Sequence, residues 1–244
     1  MPVVLVHGNP ETAAVWAKLR GAISRESTAL SLPGFGCPRP GGFDASMDSY
    51  AAWLLGELDR IEGPVDLVGH DWGGLLTYRV ATSEGHRLRS WVADVAHLAH
   101  RDYEWHDFAK LWQTPDQGEA FMESQNELPP EERAQVFEAM GVPSDDALEM
   151  AAGSDATMGG CILDLYRSAT PNPHHRWGPW TPTTAPGLVL DATEDPFGDE
   201  TLAGEVAEAL GARFERIEGA GHFWPYQAPD KAASILESFW SSLP

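Results

Sequence analysis

Val65–Gly74 reads VDLVGHDWGG, and the fold turns on how that stretch is read. A short apolar strand (Val65, Leu67, Val68) runs into Gly69-His70-Asp71-Trp72-Gly73, and a helix is expected to follow at once. The two glycines flank Asp71 two residues away on either side, the spacing of G-x-S-x-G with an aspartate at the centre. A sharp strand-to-helix turn crowds its own backbone, so side chains at the flanks would clash. Such a turn lifts its central side chain above the sheet edge, over the N-terminus of the next helix. Alone, the pattern also fits an ordinary βα turn with a capping aspartate.

Three further stretches bear on that choice. His7–Pro10 (HGNP) follows the first strand, Ala192–Pro196 (ATEDP) a late one, and Gly219–His222 (GAGH) lies near the C-terminus. Order and spacing then assign nucleophile, acid and histidine to Asp71, Asp195 and His222. Together the motifs resemble the α/β-hydrolase fold, in the branch of epoxide hydrolases and haloalkane dehalogenases, where aspartate replaces the serine nucleophile. The resemblance spans nearly the whole chain. It implies a mostly parallel sheet flanked by helices, with a helical cap inserted. The family usually carries two more strands before the HGxP strand, and the sequence has no residues for them, so about six strands are expected.

In chain order, Met1–Leu5 looks like a strand start rather than a leader peptide, with Val3–Val6 as the buried strand. Helical spacing of Trp16, Leu19 and Ile23 precedes a strand at Thr28–Leu32 and a Gly/Pro-rich loop at Pro33–Phe43. Ser46 is placed to cap a helix bearing Tyr50, Leu54, Leu58 and Ile61 on one face. The helix after Asp71 runs to about Ala81, and Ser90–Val95 is the next strand. From 98 to 186 the rhythm breaks: the stretch is rich in Trp, His, Pro and acids, with helical pieces near Trp105–Trp112, Glu131–Met140 and Asp155–Ala169. An all-helical insertion between two strands reads as a cap walling off a pocket; the alternative is a separate interaction domain. Gly187–Asp191 and Phe214–Ile217 resume the strands, with helices around Leu202–Leu210 and after Pro229. Residues 1–97 and 187–244 are thus the two parts of the core domain, and 98–186 the cap.

The totals narrow the class. At 244 residues and 43 % apolar, one domain with a sizeable insertion is expected, and no run reaches transmembrane length. A cytoplasmic location is expected. Cys37 and Cys161 lie far apart and read as free thiols; no Cys/His clustering suggests zinc. The formal charge of −21 speaks against nucleic acid and anionic membranes, and favours neutral substrates over anionic ones. A homodimer is compatible with the sequence.

An aspartate nucleophile is already ionised at neutral pH, its reference pKa being about 3.9. A carboxylate attacks amides and esters poorly, because it is expelled more readily than it adds. It suits displacement at saturated carbon, which leaves a covalent alkyl ester. His222 would then activate water to hydrolyse that ester, and Asp195 would orient His222 and stabilise its positive form. The backbone N–H groups of Trp72 and Asn9 would hold the oxyanion. Asp94 competes for the acid role, since it ends the SWVAD strand where some haloalkane dehalogenases carry theirs. No metal or organic cofactor is required; water is the cosubstrate.

The leaving group decides the activity. An epoxide opens to an alkoxide and needs a proton donor; Tyr166, just before Arg167, matches a cap tyrosine of epoxide hydrolases. Those enzymes typically use two, and where the other is expected Trp112 stands; Tyr103 is out of register. A halide needs N–H donors in an apolar site. Trp72 and Asn9 match the halide-holding pair of many haloalkane dehalogenases, and Trp112 could add a third indole. A fluoroacetate dehalogenase resembles the pattern less, having Arg where Trp72 stands. The expected reaction is opening of a neutral epoxide, with haloalkane dehalogenation as the alternative and a non-catalytic ligand-binding protein of hydrolase fold as a third reading.

Overall fold

A strand covered on both faces needs apolar side chains at every position, not every second one. Val3–Val6 (β1) is such a strand: all its residues are buried, Val4 and Val6 in the core on one side, Val3 and Leu5 in the core on the other. The computed structural model describes residues 2–244; Met1, read with Pro2 as part of the strand start, lies outside the described residues. Around β1 a six-stranded sheet is built, wholly parallel, in the order β2-β1-β3-β4-β5-β6. Its other members are β2 (Ser27–Leu30), β3 (Val65–Gly69), β4 (Leu88–Ala93), β5 (Gly187–Ala192) and β6 (Arg213–Ile217).

Parallel strands need crossovers, and these are helical. The chain supplies α1 (Ala17–Ala22), α2 (Met47–Leu58) and α3 (Trp72–Glu84) before β4. Between β4 and β5 lie α4 (Asp107–Gln113), α5 (Gln117–Glu127), α6 (Pro130–Ala139), α7 (Ser144–Gly153), α8 (Ala156–Ser168) and α9 (Pro173–Trp177), with no strand among the described residues there. The remainder are α10 (Glu200–Leu210), α11 (Trp224–Gln227) and α12 (Pro229–Ser241). Helices α2, α3 and α10 cover one face of the sheet, around Tyr50, Tyr78 and Trp91; α1 and α12 cover the other, around Leu19, Leu236 and Trp240. The caps agree with the residue types: Ser46 accepts from Ser49 N at 3.2 Å and Asp155 from Met158 N at 2.8 Å.

Some boundaries differ from the sequence reading. The second strand ends at Leu30 rather than Leu32, because its partner, β1, ends opposite it at Val6. Beyond that point the Leu32 N–H turns to the His7 ring, at 3.1 Å. The fourth strand starts at Leu88 and stops at Ala93, since Val95 takes a left-handed φ of 45° and opens a short turn. Helix α5 was not anticipated: QGEAFMESQNE carries few apolar residues, and one face sits on α8 and α4 while the rest meets solvent. The α8 face is apolar at Met158, Ile162 and Tyr166, four residues apart, and points to the sheet's carboxyl edge. Cys37 and Cys161 are free thiols. No helix among the described residues is long and apolar enough to cross a membrane.

Candidate active site

Asn9, Asp71, Asp94, Asp195 and His222 all lie just past the carboxyl ends of strands, β1, β3, β4, β5 and β6 in turn. In an open parallel sheet that edge is where ligands bind. Asp71 is the sharpest point of it. Its backbone sits at φ 53°, ψ −122°, a conformation costly for a residue with a side chain, and tight packing enforces it. A Cβ on Gly69 would lie 2.2 Å from the Gly73 carbonyl oxygen, and one on Gly73 would lie 2.1 Å from that of Val6. Both flanking glycines are therefore sterically required, as the spacing predicts.

The turn aims Asp71 at a histidine. Asp71 Oδ1 accepts from the Asn9 N–H at 2.7 Å, and Oδ2 lies 3.9 Å from His222 Nε2. His222 Nδ1 meets Asp195 Oδ2 at 2.9 Å, and the Phe197 N–H donates to Asp195 Oδ1 at 2.9 Å. Asp94, the competing acid, is engaged elsewhere. Its Oδ1 accepts from the Asp71 N–H at 2.8 Å, and its Oδ2 from His70 Nδ1 and Trp224 Nε1 at 2.5 and 2.6 Å. His222 is thus paired with Asp195. The Trp72 N–H opens α3, where a helix leaves its first donors without internal acceptors.

Burial sets the charges. It pushes Asp71 up to about 6, against the pull of His222, His70 and the Asn9 N–H. Burial pulls the other way on His222, but the Asp195 carboxylate outweighs it and the imidazole titrates above its ordinary value. Asp195 is raised by burial and brought below its ordinary value by His222. Burial, with the Asp71 charge beside it, raises the Tyr166 phenol well above its usual range, so it is a proton carrier across neutral pH.

Above the aspartate is a cavity of about 360 Å³, enclosed from the other side by α4, α5, α6 and α8. Its walls are mainly apolar, with Phe108, Trp112, Phe137, Met158, Ile162 and Phe223 prominent. Tyr166 reaches into it; its hydroxyl accepts from Asn9 Nδ2 at 3.2 Å, so one asparagine contacts both the carboxylate and the phenol. Trp72, Trp105 and Trp112 surround the phenol ring with centroids 5.3, 5.1 and 4.8 Å away. Among the described residues, the indole N–H groups of Trp72 and Trp112 are buried without an acceptor, and so is Asn9 Oδ1 without a donor. Tyr103 is buried but does not line the cavity.

Sequence reasoning passed over several groups here. His97 and His106 line the cavity as neutral imidazoles, both pushed down to about 4 by burial. Phe197 sits edge-on to His222, with centroids 5.5 Å apart. Glu11 and His70 are wholly buried beneath Asp71. The only signals for this pair were an acid one residue after HGNP and a histidine inside the glycine turn. Among the described residues, no three His, Cys, Asp or Glu side chains are grouped to hold a metal ion.

Known proteins share this architecture. The sequence model described as "Alpha/beta hydrolase family" matches residues 3–235. A haloalkane dehalogenase of Psychrobacter cryohalolentis is 22 % identical over 98 % of this chain and 82 % of its own length. A 2-hydroxy-6-oxo-2,4-heptadienoate hydrolase of Pseudomonas putida is 39 % identical over 37 % of this chain and 36 % of its own length. The crystal structure of epoxide hydrolase A from Mycobacterium thermoresistibile superposes with a TM-score of 0.80, at 20 % identity, over 100 % of this chain and 92 % of that one.

Proposed function

From the premise that this chain belongs to the alpha/beta hydrolase family, we propose that it is a hydrolase opening a neutral, apolar epoxide to a diol through an alkyl ester on Asp71. The observation that carries this reading is one cavity faced by a carboxylate with a histidine 3.9 Å behind it and by the Tyr166 hydroxyl. Asp71 Oδ2 attacks an epoxide carbon, the C–O bond breaks, and the oxygen leaving with the electron pair takes the Tyr166 proton. Neutral His222 then removes a proton from water, and hydroxide adds to the ester carbonyl of Asp71. The Asn9 and Trp72 N–H groups stabilise the resulting oxyanion. Collapse releases the diol and restores the carboxylate; the proton on His222 returns by way of solvent to the Tyr166 phenolate. Residues 98–186 serve as the cap, holding Tyr166 over the sheet and excluding water from the apolar cavity.

Haloalkane dehalogenation is the second reading, favoured by one observation: the acceptor-free indole N–H groups of Trp72 and Trp112 suit a departing halide. A side-by-side assay with styrene oxide and 1-bromobutane, following diol and bromide, separates the two. Diol formation is the expected result. Tyr166→Phe should slow epoxide opening about 100-fold or more, the worth of a positioned general acid, while altering bromide release little. Equal losses on both substrates would remove Tyr166 from the acid role.

The pH profile follows from Asp71. With a carboxyl titrating near 6, the nucleophile is lost to protonation below that value. The kcat/KM for epoxide should fall about tenfold per pH unit below about 6, because it reports the free enzyme. A profile level down to pH ~5 would mean that another group attacks.

A further inference from the structure

Beneath the elbow is a second set of buried ionisable groups that the reaction above leaves unused. His70 is 0 % exposed, with its two ring nitrogens near two carboxylates: Nδ1 is hydrogen-bonded to Asp94 Oδ2 at 2.5 Å, and Nε2 lies 3.0 Å from Glu11 Oε1, within ion-pair distance but out of line for a hydrogen bond. An ionised carboxylate only accepts, so a ring hydrogen-bonded to one at Nδ1 and within ion-pair distance of a second at Nε2 favours the doubly protonated imidazolium. The neighbouring His7 is different. Its Nε2 accepts from the Leu32 N–H and its Nδ1 meets the Gly8 carbonyl, which makes it neutral. The remaining charged neighbours are Asp71 above and His222, whose ring is 5.1 Å away; Trp16 and Trp224 close the sides edge-on. Burial opposes charge on His70, but the two carboxylates outweigh it and hold the ring protonated.

What the carboxylates do with their other oxygens is the informative part. Glu11 Oε2 accepts from the Gly8 N–H at 3.1 Å, and Asp94 Oδ1 accepts from the Asp71 N–H at 2.8 Å. Gly8 immediately precedes Asn9, and Asp71 immediately precedes Trp72. Each carboxylate therefore grips the peptide one residue before an oxyanion donor, and the imidazolium joins the two grips. We propose that Glu11, His70 and Asp94 form a charged clasp that positions the Asn9 and Trp72 N–H groups for hydrolysis of the Asp71 ester. The inference rests on the covalent mechanism above and adds three positioning residues to it.

The two half-reactions expose such a role. Displacement at saturated carbon builds no oxyanion on Asp71, whereas ester hydrolysis does, so loosening the clasp should tax the second step selectively. In Glu11→Gln, with single-turnover kinetics on styrene oxide, the ratio of ester hydrolysis to alkylation should fall about 10- to 100-fold, a fraction of what losing a whole oxyanion donor costs. The ester should then accumulate during turnover, read by intact mass. An unaltered ratio, with both steps slowed alike, would overturn the proposal and leave a structural role. Nitrogen-15 NMR of the histidine rings gives a readout that needs no turnover. In the unmodified protein at pH ~8, both His70 nitrogens should carry protons, and Glu11→Gln should return the ring to a neutral tautomer. A neutral His70 in the unmodified protein defeats the clasp while leaving the Asp71 ester untouched. Absence of any Asp71 ester when hydrolysis is blocked at His222 defeats the covalent mechanism, and the catalytic part of the clasp with it.

Discussion

Asp71→Asn should abolish turnover, by about 10,000-fold or more, and at the same time make the protein more stable. The amide keeps an oxygen for the Asn9 N–H but is no nucleophile toward saturated carbon, so neither diol nor halide should form. The stability gain comes from the same carboxyl. Its folded pKa is about 6 against an ordinary value of 3.8, so its ionisation opposes folding at neutral pH. A group raised in the folded state contributes stability that is whole below the unfolded pKa and lost as pH climbs through the folded one. About two pKa units correspond to about 3 kcal/mol, an upper bound because the site relaxes around the charge. For a chain of this size that is a rise in melting temperature of at most about 6–12 °C near pH 7.5, disappearing near pH 4. Calorimetry at the two pH values, with activity on both substrates, checks both halves. Loss of activity without stabilisation at the higher pH would mean that Asp71 does not carry its charge at that cost; retained activity would remove it as nucleophile.

Why the fold was legible and parts of the site were not follows from what each depends on. The inner strands are buried on both faces, so Val3–Val6 and Val65–Gly69 are nearly unbroken apolar runs, and motifs sit at their ends. The glycines at 69 and 73 were legible because a steric demand leaves only one residue type. Choosing between Asp94 and Asp195 was another matter. Both follow strands in the same sheet, and which one meets His222 depends on where the loops after β5 and β6 swing. Glu11 reads locally as one more acid in a chain of net charge −21; its burial arises only when β1 and β3 bring HGNP and the elbow together. Helices α5 and α7 were harder to see for a related reason. Their stability comes from packing, α5 against α8 and α4 and α7 against α6, not from a strong apolar stripe of their own.

His222→Gln should convert the enzyme into a trap: one equivalent of substrate consumed, then turnover reduced about 100- to 10,000-fold. Asp71 needs no base to attack, being ionised above pH ~6, whereas water needs one to attack the ester. Gln keeps hydrogen-bonding capacity at position 222 but takes no proton, so alkylation proceeds and hydrolysis stalls. The mass of the stalled protein then identifies the leaving group. Ring opening loses no atoms, so an epoxide adduct carries the full mass of styrene oxide; displacement of halide leaves a butyl group in place of one proton, with bromide in solution. Peptide mapping should locate either adduct on Asp71. The variant also separates two titrations of the native enzyme, that of Asp71 near 6 and that of His222, which the Asp195 carboxylate raises above its ordinary value. With the imidazole gone, the rate of the burst should still fall below pH ~6, while the residual hydrolysis should lose the pH dependence that His222 gave it. A burst insensitive to pH, or an adduct on any other residue, would place the attacking atom somewhere other than Asp71.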